Sequence, residues 1–474
     1  MEGIGEKSPE RFKSGYQIAV IGAGLVGLAL SISLRKFGYN VTIFESDVEL
    51  KEVGAGIVLP PNSTRVLHTL GLLEAVRSRS SASHYWVSHS YRAQPSNTHD
   101  GVADPNPLAA LSLEPDMEQQ YGSPFLVIHR ADLRKILYSA AQSAGVKIHL
   151  GANVDISRTN FTTGSICTTT PTNDTIYHTA DLLFAADGQA SSTRTFLNTQ
   201  PITPRWSGLI VTRVLMSVSD MHALGMSSLI SPPSVHIWQG PHTMATGYLL
   251  KDDFYLALTT DVSASPHAAA IHESLFRGPR PASKAELLAL YSAPWDPRIR
   301  TLIEHGTGFL KWLVLDYHAD VSVPRSWARA REGERLAVAL VGDAAHAMKP
   351  FLGSGAAMGF EDASLLSNLL GYSSSVVEVR RALALFERER RPRTRFVGRM
   401  TDKMGAIWTL PDGKEQEDRD RTYRREGGVG VTGRETCGFP NALQDPGFQG
   451  WLYSFDGRVE AERLLRRESM DSQL

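Results

Sequence analysis

With 474 residues, 42% of them hydrophobic and 21% charged, the chain has an ordinary globular composition and is long enough for two or more domains around a large core. A formal net charge of −1 excludes a global field that would attract nucleic acid, so no nucleic acid is expected as a partner. Cys167 and Cys437 are the two cysteines and lie far apart, which excludes a disulfide framework or a cysteine metal spacing; no metal is expected.

Residues 1–15 mix charges and lack the apolar centre of a signal peptide, so a cytoplasmic location is expected. Residues 18–34 are uncharged, but three glycines break the run and no membrane span is expected. Ser472-Gln-Leu474 matches the peroxisomal Ser-Lys-Leu address too cheaply to carry weight.

The apolar run 17–21 has strand length and leads directly into Gly22-Ala-Gly24-Leu-Val-Gly27, then a buried helix through Phe37 with Gly38 closing it. Residues 41–44 form a second strand ending on Glu45. Each glycine has a job in this strand–turn–helix: Gly22 makes the tight turn, Gly24 lets backbone approach a pyrophosphate, and Gly27 permits close helix–strand packing. Glu45 stands where a carboxylate accepts the hydroxyls of an adenosine ribose. Gly428-Val-Gly430-Val-Thr-Gly433 repeats the glycine spacing without a strand or helix around it, and reads as a loop.

Residues 52–60 bring two more glycines, Gly54 and Gly56, and residues 62–70 read as a helix capped at Asn62 or Ser63. Residues 90–120 read as an irregular excursion, with Tyr85 and Trp86 before it as packing residues. A strand at 125–129 leads into Arg130 and a helix through Ala144, followed by a strand at 147–150. Residues 155–179 suggest a small hairpin or meander with a turn at Asn173-Asp174, and the buried strand 182–186 ends on Asp187-Gly188. From 201 to 324 the pattern changes to short strands of a largely antiparallel sheet, with helices near Ala268 and at 284–291. Residues 336–341 return to a buried strand ending on Gly342-Asp343. Residues 356–401 are helical, with the eight arginines between 380 and 399 as a solvated face, and residues 411–434 are charged and expected to be mobile.

The pattern predicts an α/β protein: a discontinuous, Rossmann-like dinucleotide-binding domain (16–85, 121–200 and 335–405), an inserted, largely antiparallel β-sheet substrate domain (201–334), and a helical C-terminal extension (406–474).

Asp187-Gly188-Gln-Ala-Ser191-Ser-Thr-Arg194, and Gly342-Asp343-Ala-Ala-His346 with Pro350, Gly353, Gly355 and Asp362, join the glycine loop in an order that resembles the single-component FAD-dependent aromatic hydroxylases. This is the p-hydroxybenzoate and salicylate hydroxylase group, and the resemblance is nearest to its salicylate-hydroxylase-like branch in fungal secondary metabolism. It implies a monooxygenase with non-covalent FAD, NADPH or NADH and O2 as co-substrates, and a small phenolic or salicylate-like aromatic substrate. The protein would work as a monomer or homodimer.

By the same resemblance Glu45 binds the adenosine ribose, Gly56 lies against FAD, Arg130 meets the ribityl–pyrophosphate part, and Asp343 holds the ribityl hydroxyls. Gly355 and Ala356 lie under the flavin ring, and Asp187 stands between FAD and the nicotinamide. Trp206-Ser-Gly208 to Arg213, and Trp238-Gln-Gly-Pro241-His242 to Tyr248, resemble the stretches that put an arginine and a tyrosine at the substrate, so Arg213 and Tyr248 are the candidate catalytic pair. His346 reads as satisfying a backbone carbonyl and Asp362 as an exposed helix residue. An epoxidase or Baeyer–Villiger oxygenase acting on an indole or polyketide would share the fold, whereas a halogenase is disfavoured because no W-x-W-x-I-P stretch is present. A non-catalytic flavin-fold binding protein, like the GDP-dissociation inhibitors, would not need Arg130 and Asp343 to meet FAD.

Overall fold

The structure is a computed structural model that describes residues 13–50, 56–92, 107–198, 205–276, 278–317, 326–426 and 441–471. Gly54, the second glycine repeat at 428–433 and the terminal tripeptide lie outside them. No helix among the described residues is long and apolar enough to cross a membrane.

The first sheet runs in the order Ala328–Arg329, Ala337–Leu340, Leu182–Ala185, Gln17–Ile21, Asn40–Glu45, Lys147–Leu150. All its pairings are parallel except the edge strand Ala328–Arg329. Parallel strands covered on both faces read as continuous apolar runs, as Leu182–Ala185 and Ala337–Leu340 do, every residue of each being buried. The helices Leu25–Lys36, Arg130–Ser143 and Gly355–Gly371 pack as neighbours beside it. The three strand tips that end on Gly22, Asp187 and Asp343 therefore open onto the same edge, where ligands bind in open α/β sheets.

A second sheet runs in the order Arg280–Pro281, Thr307–Asp316, Arg205–Ser217, Asp253–Asp261, Thr243–Leu249, Ser234–Gly240, Tyr85–Ser90, Ala109–Ser112. The last two strands come from the stretch read as Tyr85, Trp86 and an irregular excursion. Tyr85–Ser90 adds in parallel to Ser234–Gly240, and Ala109–Ser112 pairs antiparallel to Tyr85–Ser90. They are short and flank a polar stretch, so their own residues mark them weakly; burial against neighbouring strands makes them sheet. Strand alternation gives this sheet two faces. Val214, Met216, Trp238, Phe254, Leu256 and Leu258 form a core with helices Lys284–Leu290 and Pro297–His305, while Val211, Val235, Ile237, Met244, Tyr248 and Tyr255 face the first domain.

Two helical expectations change. The run 356–401 is two helices, Gly355–Gly371 and Val376–Trp408, because Ser375 starts a fresh helix: its Oγ accepts from Glu378 N while Glu378 accepts from Ser374 N. The helix Pro61–Leu70 has no side-chain cap; Asn62 is buried and donates instead to Glu361 at 2.7 Å. Lys414–Glu426, expected to be mobile, is helical. The helix Gly457–Asp471 is packed against Gly355–Gly371, with Ala461 and Leu464 inside the first domain's core.

Candidate active site

Gly22 has φ +97°, and a Cβ there would stand 2.6 Å from Ala186 O, so both conformation and space require glycine. A Cβ on Gly27 would meet Gly22 O at 2.2 Å, which brings the helix Leu25–Lys36 onto its own loop. At Gly24 a Cβ would meet nothing within 4 Å, because this glycine faces a cavity of about 930 Å³. Gly24 is also the N-cap, without a side-chain cap or an acid in the first turn, so the first N–H groups of the helix are free for a ligand.

Gly22, Gly24, Glu45, Gly56, Arg130, Asp187, Asp343, Gly355, Ala356 and Tyr248 all line this cavity. Glu45 Oε2 accepts from Ala23 N at 2.8 Å and Oε1 from Asp47 N at 3.0 Å, leaving lone pairs for further donors. Arg134 was not singled out in the sequence: its Nε donates to Ala23 O at 2.9 Å and its guanidinium lies 3.4 Å from Glu45. The available signal was its spacing, one helical turn after Arg130 on the same face. Arg130 itself has no hydrogen bond or ion pair among the described residues. It stands open to the cavity yet ringed by protein, and this loss of solvent lowers its pKa, against the opposing pull of Asp343.

Asp187 accepts weakly from Thr193 Oγ1 at 3.4 Å, and its Oδ1 is buried without a partner; burial raises its pKa, with hydrogen bonds from Ser191 and the backbone opposing. Arg194 joins the Asp187 loop to the Asp343 loop, donating to Gln189 O at 2.7 Å and to Ala344 O at 2.6 Å. It therefore holds two βα-loops in register at the mouth.

The inner wall is the second sheet's alternate face. Tyr248 stacks on Tyr255 with ring centroids 5.0 Å apart, and neither hydroxyl has a partner among the described residues. Arg213 shares this face but does not line the cavity: its Nε donates to Gly308 O at 3.2 Å, and its charge reaches the wall only by lowering the pKa of Tyr255 against the larger effect of burial. Arg213 was expected at the substrate; its guanidinium is here engaged by the Gly308 carbonyl and lies outside the residues that line the cavity. Trp206 is also away from the wall, bonded to Leu209 O at 2.9 Å and stacked on His272. Trp86, expected only to pack, lines the cavity beside Trp408, whose position at the end of the long helix no sequence signal marked.

A family described as FAD binding domain matches residues 15–241. The chain is 30% identical over 447 residues to the 3-amino-4-hydroxybenzoate 2-monooxygenase of Streptomyces cremeus, covering 92% of this chain and 94% of that protein. The chain belongs to the FAD-dependent monooxygenases. The FAD-dependent monooxygenase OpS4 of Beauveria bassiana is 28% identical, with 94% of this chain and 97% of that one covered. A salicylate hydroxylase solved with its substrate shares the fold, at TM-score 0.66 and 21% identity over 95% of this chain and 98% of that one.

FAD is the cofactor of this monooxygenase and a reduced nicotinamide its co-substrate. The residues present fit the flavin: an uncapped helix N-terminus behind Gly24, an unpartnered guanidinium at Arg130, and a second helix N-terminus at Gly355 with no acid in its first turn.

Behind that second helix the monooxygenase carries a buried charge network, where His346, Asp362 and the arginines depart from expectation. His346 Nε2 bonds Asp362 Oδ2 at 2.6 Å, and the same oxygen accepts from Gly342 N at 2.8 Å. Arg390, 0% exposed, donates to Asp362 at 2.6 Å, and Arg393 forks onto Glu361 with both bonds 2.7 Å. Asp362 is thus buried instead of exposed, His346 satisfies a carboxylate instead of a carbonyl, and two of the eight arginines turn inward. Arg393 also donates to Leu452 O at 2.9 Å, which ties the helix Pro446–Tyr453 to Glu361 of the helix Gly355–Gly371.

Proposed function

We propose that the protein uses FAD, reduced nicotinamide and O2 to hydroxylate a small aromatic molecule, phenolic or salicylate-like, in secondary metabolism. The observation that carries this reading is one cavity with two chemistries: an outer part offering the side chains of Arg130 and Asp343, neither hydrogen-bonded among the described residues, and an inner part walled by Tyr248, Tyr255, Trp312 and Trp408. Bound flavin supplies the electron transfer and the activation of O2.

The chain's own residues do the rest. Gly24 and the helix behind it take the pyrophosphate, Glu45 the ribose hydroxyls, Arg130 a phosphate oxygen and Asp343 the ribityl hydroxyls. The N-terminus of Gly355–Gly371 favours negative charge on the reduced ring, and Asp187 faces the nicotinamide. Tyr248 donates its hydroxyl to the substrate oxygen, and the aromatic wall keeps water from the reacting carbon. The same reading has the enzyme as a cytoplasmic monomer or homodimer, which light scattering on the purified protein would check.

The test is NADPH consumption by FAD-loaded protein with a panel of phenols, salicylates and indoles under ¹⁸O2, with products read by mass spectrometry. Aromatic-stimulated consumption with one ¹⁸O in the product is the expected result. No stimulation by any aromatic, or oxygen arriving from water, would overturn it.

A further inference from the structure

We infer that the inner part of the cavity takes a flat, neutral aromatic molecule carrying a hydroxyl or ketone oxygen, and discriminates against carboxylated aromatics. This rests on the aromatic-hydroxylation reading and narrows its substrate class. The side chains facing the substrate are mostly apolar: Val211, Val235, Ile237 and Met244 come from three strands of the second sheet, Trp86, Trp312 and Trp408 add ring surface, and Thr246 and Thr259 are the small neutral hydroxyls among them. Flat apolar walls of this kind select planar rings by contact area and dispersion.

The charges decide the rest. Among the described lining residues the cations are Arg130, Arg134 and Lys349. The two arginines belong to one helix at the flavin side, beside Asp343 and Glu45. Lys349 is already paired, 2.9 Å from Asp402 and 3.7 Å from Asp316. Arg213, which would have been the partner of a carboxylate, is turned to the Gly308 carbonyl instead. A carboxylate pushed into this lobe sheds water and meets no unengaged positive charge.

What the wall does offer is a pair of neutral donors. Tyr248 and Tyr255 stack side by side with hydroxyls unpartnered among the described residues, and burial pushes both pKa values up, so both keep their protons across the working pH range. Neutral hydroxyls satisfy a phenol or ketone oxygen, whereas a buried carboxylate needs charge-assisted partners.

The experiment compares matched ligands on the FAD-loaded enzyme, reading perturbation of the flavin absorbance for Kd and NADPH consumption for KM. The probes are 2-naphthol against 3-hydroxy-2-naphthoate, and naphthalene as the ring without oxygen. We expect 2-naphthol to bind at least about tenfold tighter than 3-hydroxy-2-naphthoate. Tyr255→Phe should weaken 2-naphthol several-fold and leave naphthalene unchanged, and flavin content reports whether that variant is folded. Tighter or equal binding of the carboxylate by the unmodified enzyme overturns the inference while leaving aromatic hydroxylation standing. If none of the probes perturbs the bound flavin or stimulates NADPH consumption, the aromatic reading fails and the inference falls with it.

Discussion

A Cβ built on Gly56 would lie 2.4 Å from Cε2 of Tyr248 and 2.7 Å from its hydroxyl oxygen. The strand Gly56–Leu59 of the flavin side and the strand Thr243–Leu249 of the inserted sheet therefore meet through a ring laid on bare backbone. Gly56 is glycine to admit Tyr248 as well as to border the cavity. Gly56→Ala should overpack this junction and lower stability by about 1–3 kcal/mol. Adding Tyr248→Leu should recover most of that loss in thermal melts, and independent, additive effects of the two changes would separate the residues.

Among the described residues that line the flavin side of the cavity, Arg130 is the cation without a hydrogen bond or ion pair, and it lies near Asp343. Arg130→Ala removes a charge-assisted bond worth about 1.5–3 kcal/mol, so FAD should bind roughly 10- to 150-fold more weakly in a calorimetric titration. An unchanged affinity would take Arg130 away from the cofactor.

Arg213 donates to Gly308 O and stays off the cavity wall. Arg213→Ala should change KM for the best aromatic by less than about threefold, since no charged bond to substrate is lost. A loss of thirtyfold or more, on the scale of about 2 kcal/mol, would return Arg213 to the substrate.

The Asp362 carboxylate is buried, which pushes its pKa up, but His346 and then Arg390 outweigh burial and hold it below the usual carboxylate range. Because the folded value lies below the unfolded one, this stabilisation is fully present above the unfolded carboxylate pKa, about 4. It is lost as pH falls through the lower folded value. Asp362→Asn should lower stability by about 3–5 kcal/mol at neutral pH, by leaving Arg390 short of a partner. Denaturant melts between pH 7 and pH 3 should show a shallower acid dependence for the variant than for the parent.

Glu114 behaves with the opposite sign. Burial raises its pKa to about 7, against the backbone donation from Phe125. The folded state then holds a proton that the unfolded state has released, so this group makes stability fall as pH rises from the ordinary carboxylate range to about 7. Glu114→Gln should remove that contribution. The variant's melting temperature relative to the parent should be higher at pH 8 than at pH 5, and a pH-independent difference would show that Glu114 titrates normally.

The sequence by itself determined the flavin side. Gly22 needs positive φ, Gly27 needs contact with its own loop, and Glu45, Asp187 and Asp343 sit at or just beyond the tips of apolar strands; these are properties of a few consecutive residues, so local pattern is enough to find them. Only the tertiary structure decided the substrate side and the support behind the flavin. Asn62 caps nothing because Glu361, 299 residues away, takes its amide. Arg390 leaves the solvated face because Asp362 and Glu361 await it in the core. Arg213 sits in the expected register of its strand, yet a carbonyl on the neighbouring strand decides where its guanidinium goes. Tyr85–Ser90 becomes a strand only by lying against Ser234–Gly240. In each case a side chain or strand is fixed by a partner distant in the chain: burial makes an unmet polar group or charge expensive, and no periodicity records where that partner will come from.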